Sequence, residues 1–380
     1  MAVYLGIFTT STIFSFCYSK ARDKSAQIVF LVSCFMSLFI PAAVRYGIGV
    51  DYFSYMKIFK EVYYNHYRNI EYSIILICKI IQFLKLPPIT LFAVYAFLTY
   101  FFLYKAVSKK DFYLCIPVYV MLLYLASLNT IREALGCTIM LLAYKHFFRK
   151  DIKKFVIYSI FGVFAHKSML IAVLLILLSS IIPAFGNNMR CALFLIIVGV
   201  FSVFAKQIVF LIMNVILPYT GYASYAVNKY ASALAANNTG LGFLLKMFNL
   251  FLFALLIDGV YIAKREYKAS MMLVLYNAFA QSVMQIMYIF NRLVSSFTFS
   301  YIYLFLFASK SRNKYRKLIF SFIVLSYFLL FVQDINNGKI RRGQAGVFTG
   351  KNINPYLSVW TYKENEVVSA KDMRFGTFRY

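Results

Sequence analysis

Residues 155–184 read FVIYSIFGVFAHKSMLIAVLLILLSSIIPA, thirty positions whose only charged interruption is at His166-Lys167-Ser168. Runs this apolar on every face of a helix suit a hydrocarbon core of about 30 Å, not the half-wet surface of a soluble domain. Backbone groups in lipid must be satisfied within the segment, so each run predicts a helix. The break predicts two of them, 155–167 and 168–184, joined by a tight outward turn.

The same pattern extends along all 380 residues. Hydrophobic residues make up 62% of the chain and charged residues 14%, with mean hydropathy +0.72. Soluble domains are about half apolar and a quarter charged, so water is excluded as the main solvent. The fold class expected is all-α: a polytopic integral membrane protein of about 12 transmembrane helices. The spans are residues 2–18, 27–44, 89–107, 112–128, 134–148, 155–167, 168–184, 191–209, 242–260, 269–290, 293–309 and 317–332. Together they form one helical domain, 1–332, followed by a tail, 333–380.

The 40 Lys+Arg against 13 Asp+Glu raise nucleic acid as a partner, but the basic residues cluster in short breaks between apolar runs. That distribution is a topology signal and implies no nucleic acid. Placing the clusters after the first span, at Lys105 to Lys110, at Arg149 to Lys154, at Arg190, at Lys264 to Lys268 and in SKSRNKYRK (309–317) in the cytoplasm fits twelve crossings. Both termini, the loops 45–88 and 210–241, and the tail then lie outside. The start MAVYLGIF has no basic leader, so the first helix is expected to remain as an anchor. Residues 73–86 are interrupted by Lys79 and Lys85 and end at Pro87-Pro88, which suits a re-entrant or interfacial helix. The six cysteines stand singly, without metal or redox spacing, and read as small apolar residues.

Three groups of polar residues stand out. In RYGIGVDYFSY (45–55), Arg45 and Asp51 flank two glycines that let a backbone turn approach a ligand, although interfacial tyrosines at a helix end give the same pattern. Glu71 opens the short helix that follows, where an acid also complements the helix dipole. In NTIRE (129–133), Arg132 needs a partner, whether its neighbour Glu133 or a phosphate gripped in bidentate fashion. His166 stands at the turn already described. Asn277, Gln281, Gln285, Tyr288 and Arg292 recur at spacings of four, four, three and four, one face of a helix. Such a stripe is either a substrate path or interhelical glue. Tyr219, Tyr222, Tyr225 and Tyr230 suit either sugar stacking or interfacial anchoring.

On this topology Arg45, Asp51, Glu71, Arg132, His166 and Arg292 share the outer face. There is no phosphate-binding Gly-rich loop, no dinucleotide fingerprint, no His/Cys metal cluster and no Asp-x-Asp pair. Neither a metal nor another cofactor is therefore expected, and the energy must come from a pre-activated substrate or an ion gradient.

RYGIGVDYFSY, Glu71, NTIREALG (129–136), FAHKSM (164–169), NRLVSSFTF (291–299) and NPYLSVW (354–360) resemble, in order, the motif set of the Wzy/EpsG-type polysaccharide polymerase family. Two departures are Glu133, where the family has Gln after the arginine, and Met169, where a small residue follows His-x-Ser. The resemblance implies a GT-C-like helical fold in the bacterial inner membrane. It also implies polymerisation, at the outer face, of undecaprenyl-diphosphate-linked oligosaccharide repeat units for O-antigen or exopolysaccharide, with membrane lipid and a chain-length regulator as further partners. On that reading Arg132 and Arg292, with Arg45 as a third candidate, neutralise the departing diphosphate. Asp51, Glu71 or His166 takes the proton of the acceptor hydroxyl. A lipid-linked oligosaccharide flippase, an O-antigen ligase and a membrane acyltransferase are the rival readings.

Overall fold

A computed structural model describes residues 1–49, 51–67, 70–181, 241–257, 264–286, 298–338, 353, 356 and 358–360. Among these the regular elements are helical, with no strand and one isolated bridge, between Arg45 and Ser358. The chain divides into two compact units. The first holds residues 1–147, 151–167 and 328–380, and the second holds 148–150 and 168–327.

In the first unit, α1 (Ala2–Lys20) and α2 (Lys24–Ala43) are joined by three residues, and Asp23 caps α2 by accepting from the Ala26 amide at 2.8 Å. The helix α3 (Tyr52–Tyr63) and α4 (Tyr72–Phe83) form a packed pair ahead of α5 (Thr90–Ala106), which lies against α2. Next, α6 (Lys109–Ser127) begins as a 3₁₀ turn and widens to a π segment at Val120–Tyr124, just beyond Pro117, whose missing N–H already interrupts the ladder. The unit continues with α7 (Ile131–Phe148), of which all but the last residue belongs to it, and α8 (Ile152–Ala165). The second unit contains α9 (Met169–Ile181), α10 (Leu241–Leu256), α11 (Lys264–Ile286) and α12 (Ser300–Ser309). The chain passes back to the first unit within α13 (Arg316–Asn337).

Apolar residues fill the interior and also cover much of the outside. Ile28, Val29, Val32, Met36 and Ile40 make an exposed apolar stripe on α2, and Val156, Ile157, Ile160, Phe161 and Phe164 make another on α8. Ser11, Ser15, Thr99, Thr138, Asn249, Asn277 and Gln281 are buried. Lipid is the solvent for which apolar side chains face outward while small and polar ones fill helix contacts. Four described helices, α1, α2, α6 and α13, are long and apolar enough to cross a membrane, and several shorter apolar ones accompany them. The expected span 191–209 and most of the loop 210–241, with its tyrosines, lie outside the described residues, so the expected count of twelve has no counterpart here.

The expected break at 166–168 is present. Helix α8 ends at Ala165, His166 takes an extended conformation with φ −157° and ψ 124°, and α9 starts at Met169. The expected loop 45–88 contains more structure than periodicity suggested, because α3 is a full helix. Its Tyr52, Tyr55, Met56, Phe59 and Val62 are buried in a cluster with Phe92 and Tyr95 of α5 and Ile131 and Leu135 of α7. Tyr52 stacks on Phe92 with centroids 4.4 Å apart.

The turn leading into α3 depends on Gly49. Its φ is +96°, and a Cβ there would lie 2.5 Å from the Leu128 carbonyl oxygen. Both the conformation and the space exclude a side chain. Gly49→Ala is expected to destabilise the purified protein by about 1–3 kcal/mol, the usual cost of such strain, and to lower its unfolding midpoint in detergent. An unchanged midpoint contradicts this packing.

Candidate functional site

Glu71 is the N-cap of α4, yet its side chain makes no capping bond. It points instead to two other helices of the same unit. Arg132 Nη1, on the first turn of α7, donates to Glu71 Oε2 at 2.7 Å. His166 Nδ1, at the end of α8, lies 3.2 Å from Oε1 and 3.3 Å from Oε2. Ser73 ties the start of α4 to the same helix end by donating to the Ala165 carbonyl at 3.2 Å. The carboxylate that Arg132 pairs with is Glu71, not its sequence neighbour Glu133.

The side chains of Arg132, Glu71 and His166 are 22%, 14% and 15% exposed, enclosed but reachable. Burial alone would raise the Glu71 carboxyl. The hydrogen bond with His166 and the Arg132 charge outweigh it and hold Glu71 below the usual carboxylate range. A carboxylate that engages the Nδ1 side of the imidazole orients the ring and leaves Nε2 as the base, the arrangement by which a third group prepares a proton acceptor.

Asp51 enters the same neighbourhood through its backbone. Its amide donates to Asn129 Oδ1 at 3.1 Å, so the turn 45–51 is pinned to the segment that carries Arg132. Arg132 lies over the Tyr55 ring at 5.5 Å. Burial pushes the Tyr55 phenol up to about 12, with Arg132 opposing and Asp51 reinforcing the rise. Tyr55 and Asn129 carry no charge that would mark them in the sequence, and only the folded geometry ties them to Arg132 and Asp51.

Arg45 is placed differently. It is 1% exposed, its Nη1 donates to the Ala42 carbonyl at 2.6 Å, and its guanidinium lies 4.6 Å from the Phe92 centroid. Its backbone pairs with Ser358, the Val359 amide donates to the Val44 carbonyl at 2.9 Å, and the Tyr356 hydroxyl donates to the Pro41 carbonyl at 2.7 Å. Tyr356, Ser358 and Val359 therefore sit against the end of α2 and the turn that follows it.

The polar stripe belongs to the second unit. Asn277 Nδ2 donates to Ser300 Oγ of α12 at 2.8 Å and to the Leu273 carbonyl at 2.7 Å, and Gln281 is buried one turn further along. Asn277 acts as an interhelical tie. The side chain of Gln285, and Tyr288 and Arg292 altogether, lie outside the described residues. Among the described residues no three His, Cys, Asp or Glu side chains gather as a metal site.

A model described as the EpsG family matches residues 28–358 of the chain. No curated protein sequence and no solved structure matches it.

The pairing at Glu71 predicts a pH signature. A folded carboxyl held low contributes stability that is present above its unfolded pKa and lost as pH falls through the folded value. At neutral pH Glu71→Gln is expected to cost about 1.5–3 kcal/mol, the worth of a charge-assisted hydrogen bond. In thermal unfolding the gap to the parent should close as pH falls below the usual carboxylate range. A gap that persists through acid pH contradicts an ionised Glu71.

Proposed function

Because the chain belongs to the EpsG family, a membership that supports a membrane protein of polysaccharide-polymerase type, we propose that it joins undecaprenyl-diphosphate-linked oligosaccharide repeat units by glycosyl transfer at the outer face of the bacterial inner membrane. The observation that supports this most is the meeting of Arg132 and His166 on Glu71.

In the proposed reaction, an acceptor hydroxyl of one lipid-linked saccharide attacks the anomeric carbon of another. The new C–O bond forms as the bond between that carbon and the diphosphate oxygen breaks, and undecaprenyl diphosphate leaves with the electron pair. His166 Nε2 takes the hydroxyl proton. Glu71, bonded to the other side of the ring, holds the imidazole in orientation and is a positioning residue. Arg132, with nitrogens beyond the one on Glu71, receives the charge that develops on the diphosphate. Arg292 is a second candidate for that contact. Asp51 is placed by Asn129 beside the arginine's segment and is assigned to acceptor binding.

The donor carries its own leaving group, so this chemistry requires no nucleotide and is assigned no metal. Gln285 and Tyr288, which continue the spacing of Asn277 and Gln281, are kept as the positions along which the lipid-linked substrate approaches. A chain-length regulator fits as a partner, because nothing in the reaction itself stops elongation.

His166→Ala and Arg132→Ala are each expected to lower the rate of glycosidic bond formation about 10²–10⁴-fold. On a gel, cells carrying either variant should show single repeat units in place of the polymer ladder. A normal ladder removes these residues from the chemistry. Loss of even the single units from the surface replaces the polymerase reading with a flippase.

A further inference from the structure

A hydrogen bond through one nitrogen does not fix the plane of a guanidinium. Glu71 takes Arg132 through Nη1, at 2.7 Å, and shares its carboxylate with His166. Nothing in that contact stops the arginine head from turning about the line between the two atoms. Arg132 Nε is buried and has no hydrogen-bond partner among the described residues, which leaves the Nη1–Nη2 end of the fork to meet a ligand. The second constraint on the head is the ring of Tyr55, whose centroid lies 5.5 Å from the guanidinium carbon. That ring is itself held in place. It is 4% exposed and meets the buried Phe92 edge-on at 6.3 Å, and Phe92 is stacked on Tyr52, three residues earlier on α3.

We propose that Tyr55 is a positioning residue whose ring sets the plane of Arg132 for the leaving diphosphate. The role rests on the assignment of Arg132 to that diphosphate. An aromatic face attracts a cation through the ring quadrupole, so a ring that cannot move orients the group lying on it. Arginine grips phosphate in a planar, bidentate manner, and the plane of the guanidinium decides whether both nitrogens reach oxygen. With Glu71 holding one nitrogen and Tyr55 holding the plane, the end of the fork is aimed before the donor arrives, the preorganisation on which catalysis by positioning depends. An aliphatic side chain could fill the same space in the cluster but would present no such face.

The test measures binding of farnesyl diphosphate, a diphosphate on a short prenyl tail, to the purified full chain in detergent. The reading is the concentration that half-saturates the rise of the unfolding midpoint. Tyr55→Phe should bind within a few-fold of the parent. Phenylalanines with an increasing number of fluorines at position 55 keep the shape of the ring while weakening its negative face. The half-saturating concentration should rise along that series, to about tenfold for the most fluorinated ring. A side chain needed only for packing gives a level series. A level or falling series, a loss already complete in Tyr55→Phe, or a parent that does not bind the diphosphate overturns the proposal. The same variants assayed for bond formation separate this role from the reaction. A chain that shows the series but joins no lipid-linked units contradicts the polymerase reading alone, and one that joins them with a level series contradicts the role of Tyr55 alone.

Discussion

One carboxylate organises the first unit's polar centre. Glu71 is shared by Arg132, 61 residues away, and His166, 95 residues away, so three helix ends meet on a single side chain. Lipid-facing apolar surface holds helices in the membrane but does little to choose which ends adjoin. A partly enclosed ion pair does choose, because removing one partner leaves the others stranded in a medium that solvates charge poorly. Here the same contacts that align α4, α7 and α8 also orient the imidazole and hold the arginine.

The surrounding packing serves that centre. Helix α3 buries its aromatic face against α5 and α7 and brings Tyr55 under Arg132. Gly49 lets the preceding turn pass within contact of Leu128, and Asn129 then takes the Asp51 amide. Arg45 anchors the other end of the turn, beside residues 356, 358 and 359. Backbone turns without regular hydrogen bonding are thus fixed by side chains from three separate regions of the chain, as a preorganised site requires.

Much of this was legible in the sequence where the physics is local. The helix break at His166 follows from one polar tripeptide in an apolar run, and the apolar helices follow from hydropathy. Arg45, Asp51, Glu71, Arg132 and His166 could be nominated because charge is costly near lipid. Their pairings could not be read. Glu133 is the nearer partner for Arg132 in sequence, and only the packing of α4 beside α8 makes Glu71 the nearer one in space. Helix α3 lies inside the segment 45–88 that was expected as a loop, being only twelve residues long and too short to register as a span, although its buried positions at 52, 55, 56, 59 and 62 keep helical spacing. Asn277 and Gln281 were legible as part of one helical face, but the bond of Asn277 to α12 was not.

In the proposed glycosyl transfer Glu71, Arg132 and His166 act as one unit. The most direct measurement is the rate of bond formation by purified single, double and triple Gln variants at these positions, with lipid-linked repeat units as substrate. A unit loses its function at the first removal, so the triple variant should be little slower than the worst single one. Losses that multiply independently from one position to the next would contradict it.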